Sequence, residues 1–422
     1  MRVLVYVHDL GVGGSQLNAI EIASELRSKG HDIIIYGRPG PLVKTIKNLD
    51  LEFVPAGEPG CRPSVRATRE LVTIAKTRSV DILHGYEWPP ALECYMAARR
   101  LERTVAVATV MSMRVAPFIP GHVPLAVGTE LILERERRFG RTNIALIEPP
   151  VNTHSNAPGL ELGQKEFRRR WGLEDGTYIV AIVSRLARQL KLEGILSAME
   201  AVARLAPTVP VSLVIAGDGP AREIVQEYAD EMNHRTGKPT VVLTGELPDP
   251  RPLYDIANIC LGMGGSALRA MAFAKPLVVQ GEGGFWELLT PSTLPTFLQQ
   301  GWFGEGTDPA GGADKLCSLL KGLLSEEQRR QHLGDFGRRL VEERYSLSMA
   351  GERQLAIYAD AVNPSDQGRL FLENALAAGR YAIYEARRRA SRFMGLEASD
   401  DFNTRPLGGN RRSGKSQARS IQ

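Results

Sequence analysis

Short apolar runs rich in β-branched residues recur along the chain at residues 2–7, 32–36, 80–84, 105–110 and 143–147. A second series follows at residues 178–183, 211–216, 240–243, 259–261 and 276–279. Near-continuous apolar runs of this length predict strands covered on both faces. Between strands the period changes. Leu17, Ile20, Ala23 and Leu26 share one helical face, Glu21, Glu25, Arg27 and Lys29 lie off it, and Gly30 supplies a stop. Another helix is expected over residues 195–206. Strands alternating with helices predict an α/β protein with parallel sheets and crossover helices. Two such series, each with its own first strand, predict two doubly wound halves.

At 422 residues the chain exceeds the ~250–300 at which one core stops growing, in keeping with two domains. The seam is expected where prolines interrupt the pattern, from Glu148-Pro149-Pro150-Val151-Asn152 through Asn156-Ala157-Pro158-Gly159. The reading is an N-terminal domain over 1–155, a second over 156–345, helices over 346–395 returning toward the first, and a basic disordered tail over 396–422. Within the helical part, residues 368–394 read as one segment, after a break at Asn363-Pro364.

Net charge is only +4, and residues 380–422 alone carry ten Lys/Arg against four Asp/Glu, so the rest of the chain is slightly acidic. That balance argues against a nucleic-acid binder. Cys61, Cys94, Cys260 and Cys317 have no zinc-site or disulfide-scaffold spacing and fit a reduced compartment. The first apolar run is too short for a leader, and no run reaches 18 apolar residues. A cytoplasmic protein is expected, with peripheral contact at the inner membrane face.

Candidate chemistry clusters where strands give way to helices. Gly11-Val12-Gly13-Gly14-Ser15 follows the first strand, where glycines let backbone approach a ligand and a helix N-terminus faces an anion. Gln16 replaces the third glycine of a dinucleotide fingerprint, and strand two ends in Tyr36-Gly37-Arg38 with no ribose-binding acid. Arg38 keeps an NADP-dependent oxidoreductase as a rival reading. In the second half, Ser184-Arg185-Leu186 ends a strand and Lys191 follows six residues later, two cations able to hold a diphosphate. A third segment, Leu261-Gly262-Met263-Gly264-Gly265-Ser266-Ala267-Leu268-Arg269-Ala270-Met271-Ala272, again sets glycines before a helix, with Ser266 expected as its N-cap. Arg269 stands out in an apolar helix start, either snorkelling or contacting a ligand.

Together these segments resemble the retaining nucleotide-sugar glycosyltransferases of the GT-B fold, the bacterial group called family 4, over about 345 residues. Gly13-Gly14 is similar to that family's glycine loop, Val80-Asp81-Ile82-Leu83-His84 to its "pDvvH" strand, and Pro150-Val151-Asn152-Thr153 to its interdomain segment. LVIAGDGP over residues 213–220 and RAMAFAKPLVV over residues 269–279 resemble its most specific motifs. The resemblance implies two Rossmann-like domains facing a cleft, with a nucleoside-diphosphate sugar, UDP- or GDP-linked, as co-substrate and no cofactor or metal. It implies that Arg185 and Lys191 hold the diphosphate, with one residue inserted between them relative to the family. Backbone groups of Gly264, Gly265 and Ser266, the loop at Gly13 and Gly14, and a base site near Gly245, Glu246 and Leu247 would complete the donor site.

The chain departs from that pattern at the family's E-x7-E pair, which falls on Leu261 and Arg269, and at a strand-end histidine that is Met111 here. His84, Glu282 and Glu287 are further candidates for the acceptor or sugar side, and Trp88 could stack on an acceptor, with core packing as its default reading. The other histidines form no ligand spacing. The function implied is a hexosyltransferase acting with retention on an acceptor such as a sugar, lipid-linked sugar or small molecule. A non-catalytic GT-B-fold binding subunit is the second reading. Arg387-Arg388-Arg389 and Arg392, following Phe371, Leu372, Ala375, Leu376 and Tyr384, fit a basic helix against an anionic membrane, but the favoured reading packs the apolar side on the first domain with the arginines solvated, because Gly379 weakens an isolated helix.

Overall fold

The computed structural model describes residues 1–58, 60, 62–112, 114–362 and 370–393. The tail expected over 396–422 lies outside the described residues. Packing groups the chain into two units. One comprises Met1–Gly11, His31–Leu146 and the chain from Ile357 on, and the other Val12–Gly30 and Ile147–Ala356. The first helix, Gly14–Ser28, therefore groups with the later unit, which a linear division of the sequence does not anticipate.

Among its described residues the first unit holds seven strands, β1 (Arg2–Asp9), β2 (Asp32–Arg38), β3 (Glu52–Pro55), β4 (Ile82–Tyr86), β5 (Val105–Val110), β6 (Leu125–Val127) and β7 (Ile144–Leu146). Their order is β3-β2-β1-β4-β5-β6-β7, and every pairing is parallel. Burial explains the composition. Val3, Leu4, Val5, Tyr6 and Val7 are all covered, so β1 has no solvent face. The helix Val65–Arg78 packs its Ala67, Leu71 and Ala75 on one side with Leu4, Ile34 and Leu83, its start capped by Ser64, whose hydroxyl accepts from the Ala67 N–H.

The helix Leu370–Phe393 matches the helical segment expected there. Its Tyr381 and Tyr384 pack against Trp88 and Phe118 of the first unit, and the Tyr381 hydroxyl donates to the Arg62 carbonyl at 2.5 Å. The face the membrane reading required is thus partly spent on the core. Leu376 and Ile383 remain exposed, as do Arg387 and Arg389.

The second unit holds β8 (Tyr178–Val183), β9 (Val211–Ala216), β10 (Val241–Gly245), β11 (Ile259–Gly262), β12 (Leu277–Gln280) and β13 (Trp286–Leu288). The order is β10-β9-β8-β11-β12-β13, parallel except for β13, which runs against β12 with Val279 opposite Glu287. The helices Leu192–Leu205 and Gly312–Ser325 bury Ile195, Val202, Leu316 and Leu320 on one face. Gly265–Ala272 and Glu327–Arg344 cover the other with Leu268, Met271 and Val341. Both sheets have the doubly wound order expected from the sequence.

Candidate functional site

In the second unit the chain winds away in opposite directions from β8 and β11, which are neighbours in the sheet. Ligands of open α/β sheets gather outside the strand C-termini at such a switch point. The loop leaving β8 carries Arg185 and Lys191, and the turn leaving β11 carries Gly264 ahead of the helix that opens with Gly265 and Ser266.

The β8 loop is shaped by the glycines of the LVIAGDGP segment. Its Ser184 N–H donates to the Ala216 carbonyl at 2.9 Å, and its Leu186 N–H to the Asp218 carbonyl at 2.9 Å. A Cβ on Gly217 would collide with the Ser184 carbonyl oxygen, and one on Gly219 would come within 2.6 Å of the Leu186 carbonyl oxygen. The motif is specific because two backbone segments touch there with no room for side chains.

That nesting presents two cations. Arg185 is exposed, and its guanidinium has no hydrogen-bond or ion-pair partner among the described residues. Lys191 immediately precedes the Leu192–Leu205 helix, and its ammonium has no hydrogen-bond or ion-pair partner among the described residues. Burial without a partner disfavours its charged form and lowers its pKa from 10.5 to about 8. The residue as a whole is half-buried, and an anion beside its ammonium would supply the counter-charge that its surroundings lack.

At β11 the helix Gly265–Ala272 begins two residues earlier than expected. Gly264, with φ of 54°, is the N-cap, and Ser266 is not. The Ser266 hydroxyl instead donates to the Met263 carbonyl at 2.9 Å and accepts from its N–H at 3.3 Å, closing the turn that Gly264 makes possible. The N–H groups of Gly265 and Ser266 open the helix with no acceptor among the described residues, an arrangement suited to an anion. Leu261 lies inside β11 and is 2% exposed.

Arg269 neither snorkels nor stands alone. It is paired with Glu21 of the Gly14–Ser28 helix at 2.7 Å. Burial works against its charge, yet Glu21 and Tyr254 raise its pKa above the usual guanidinium value. Glu21 Oε2 is buried with no hydrogen-bond partner among the described residues. Sequence reasoning placed Glu21 off the apolar face and missed it, since its partner lies 248 residues away.

The remaining candidates separate. Gly13 is extended and Gly14 has open space where a Cβ would stand, so neither glycine is demanded by a tight turn. Gly245 has φ of 71°, Glu246 is exposed and Leu247 packs on the core below the sheet edge. Glu282 accepts from the Leu190 N–H at 3.0 Å, in the same loop as Arg185 and Lys191. Glu287, in β13, pairs with Lys315 at 3.4 Å and is drawn toward the Gly312–Ser325 helix instead.

In the first unit His84, one of the acceptor-side candidates, is enclosed by its neighbours. It is 1% exposed, with Nδ1 2.6 Å from the Tyr358 hydroxyl and Nε2 2.7 Å from Thr109 Oγ1, because β4 is central and covered. Burial lowers its pKa to about 3. Arg38 is engaged by Glu58 at 3.0 Å, which withdraws support from a 2′-phosphate site. Trp88 packs edge-on against Phe118 and Tyr384 rather than standing free to stack.

Residues 177–322 match the family model described as "Glycosyl transferases group 1". Over 218 residues the chain is 27% identical to the GDP-mannose-dependent monoacylated alpha-(1-6)-phosphatidylinositol monomannoside mannosyltransferase of Corynebacterium glutamicum, covering 48% of this chain and 52% of that one. The matches span about half the length of the curated relatives. Among solved structures, a glycosyltransferase from Rickettsia africae superposes with a TM-score of 0.69 at 18% identity, covering 86% of this chain and 99% of that one. Anabaena Alr3699/HepE, solved in complex with UDP, gives 0.66 at 12% identity, covering 85% and 100%. The chain has the GT-B fold of these glycosyltransferases, and its residues 177–322 carry the glycosyl transferases group 1 pattern.

Proposed function

We propose that this protein is a glycosyltransferase that moves a sugar from a nucleoside-diphosphate sugar to an acceptor with retention of configuration. The observation that carries the reading is Lys191, an unpaired and desolvated ammonium beside exposed Arg185 at the switch point of the second sheet. A diphosphate supplies the missing counter-charge. The relatives support the class, since the matched Corynebacterium protein is named for a nucleotide-sugar donor.

In this reading Arg185, Lys191 and the N–H groups of Gly265 and Ser266 bind the diphosphate and hold the charge that develops as the sugar C1–O bond breaks. The acceptor oxygen bonds to C1 on the same face, and its proton passes to the departing phosphate oxygen. The protein then has little acid–base work to do, and positioning is its main contribution. The open space at Gly14 suits close approach of the reacting sugar. Exposed Arg387 and Arg389 with Leu376 and Ile383 support peripheral contact with an anionic membrane surface.

Calorimetric titration with UDP, GDP, dTDP and NADPH tests the proposal, followed by a donor-hydrolysis screen read by mass. Binding of one nucleoside diphosphate with release of its sugar is expected. Nucleotide binding without turnover of any donor sugar marks a non-catalytic binding subunit, and binding of NADPH alone defeats the reading.

A further inference from the structure

β12 ends at Gln280, and the next residues form a ledge that the sequence allows only because it is glycine-rich. The Glu282 N–H donates to the Gly304 carbonyl at 3.1 Å, the Gly306 N–H to the Glu282 carbonyl at 2.8 Å, and the Asp308 N–H to the Gly283 carbonyl at 3.1 Å. Side chains at 281, 283 or 284 would collide with the carbonyls of Gly304, Gly306 and Asp308, and Gly283 and Gly284 have φ of 65° and 73°. Backbone seated on backbone in this way is stiff.

From that ledge two side chains reach the loop that carries Lys191. Glu282 Oε1 accepts from the Leu190 N–H at 3.0 Å, and Gln280 Nε2 donates to the Lys191 carbonyl at 3.0 Å. Gln280 is 1% exposed, and a Cβ on Gly194 would collide with its amide, so the helix start is built around it. In the other direction Glu193 accepts from the Gly284 N–H at 2.6 Å and the Gly283 N–H at 3.2 Å. Leu190 has φ of 65°, a conformation that a residue with a side chain adopts only when its surroundings hold it there.

We propose that Glu282 and Gln280 are positioning residues for Lys191, gripping the backbone on either side of it while Glu193 locks the grip from the helix. The inference rests on the reading of Lys191 as a ligand for a nucleoside diphosphate. A lysine side chain has large rotamer freedom, and fixing its base removes part of the ordering cost that ligand binding would otherwise carry. Glu282 thereby acts through Lys191 without touching the diphosphate. Sequence reasoning singled out Glu282 for the sugar side and overlooked Gln280 and Glu193, although a glutamine closing the apolar run Leu277–Gln280 is a visible signal.

The test follows the Lys191 signal by NMR in lysine-labelled protein, assigned with Lys191→Arg, alongside UDP, GDP and dTDP affinity. Glu282→Ala frees the loop, so the Lys191 titration should rise by at least one pH unit as its ammonium gains water, and nucleotide affinity should fall at least fivefold. Glu282→Gln keeps an oxygen for the Leu190 N–H and should restore both to near the wild-type values. Gln280→Leu should shift both in the same direction as Glu282→Ala. Should the alanine variant not fold, Glu282→Asp, one methylene too short, carries the same expectation. An unchanged Lys191 titration and affinity within twofold in Glu282→Ala overturn the proposal, as does failure of Glu282→Gln to rescue. If the wild-type protein binds none of the nucleotides, the functional reading fails, while the Lys191 titration still decides the clamp.

Discussion

The guanidinium of Arg269 and the carboxylate of Glu21 meet at 2.7 Å, each side chain about four-fifths withdrawn from water. The family pattern that the sequence resembles has glutamate at the first of these positions, so the charge there is reversed and answered from the first helix. Arg269→Glu should set two carboxylates against each other and lower stability by about 2–3 kcal/mol. The swapped pair Glu21→Arg with Arg269→Glu should recover more than half of that loss. Urea denaturation of the three variants measures it, and a swap no better than the single change would show that the pair is not coupled.

Arg185→Ala and Lys191→Ala should each lower turnover at least tenfold, about 1.4 kcal/mol of barrier. Neither should lower the unfolding midpoint, because Arg185 is exposed and the Lys191 ammonium has no partner to lose among the described residues. Steady-state kinetics and thermal melts on the same preparations separate the two effects. Wild-type turnover in both variants would remove these residues from the site.

The depressed Lys191 pKa fixes the direction of a pH effect. Below about pH 8 the ammonium is charged and diphosphate affinity should be level. Above it the free protein loses that proton, and affinity should fall until the higher pKa of the complex is passed. Lys191→Met should flatten this limb and weaken binding at neutral pH. Calorimetry from pH 6.5 to 9.5 reads both.

His84 ties the first unit to acid sensitivity. Its pKa is lowered in the folded state to about 3 from 6.5, so the unfolded chain takes up a proton first as pH falls. The stability it contributes is complete above about pH 6.5 and declines toward pH 3, by up to about 1.4 kcal/mol per unit. His84→Gln should show a shallower loss between pH 6.5 and 4.5 in denaturant titrations. Equal slopes would mean that other groups govern the acid limb.

Ending the chain at residue 364 should destabilise the first unit, because Tyr381 and Tyr384 no longer cover Trp88 and Phe118. A lower melting midpoint and new binding of an apolar dye are expected. Replacing Arg387, Arg388 and Arg389 by glutamine should leave the midpoint alone and abolish salt-sensitive binding to anionic vesicles. Vesicle binding that survives the replacement would place any membrane contact elsewhere.

Much of the architecture is written locally. The runs at 105–110, 178–183 and 211–216 coincide with β5, β8 and β9, since a strand covered on both faces must be apolar almost throughout. The glycines of the LVIAGDGP segment and of the loop after β12 are legible for a related reason, because a missing side chain records a place where two backbones touch. The short strands β3, β6 and β13 span only three or four residues, too few to show a period, and only their neighbours in the sheets define them. The candidate site divides in the same way. Arg185 and Lys191 were visible as cations beside a strand end, but the loss of solvent around Lys191 depends on what surrounds it. Glu21 finding Arg269, His84 closed by Tyr358 and Thr109, and Glu282 reaching Leu190 are meetings of residues remote in sequence. Local sequence determines which backbone conformations are cheap and which faces are apolar, whereas burial and charge pairing depend on three-dimensional neighbours, and those only the tertiary fold supplies.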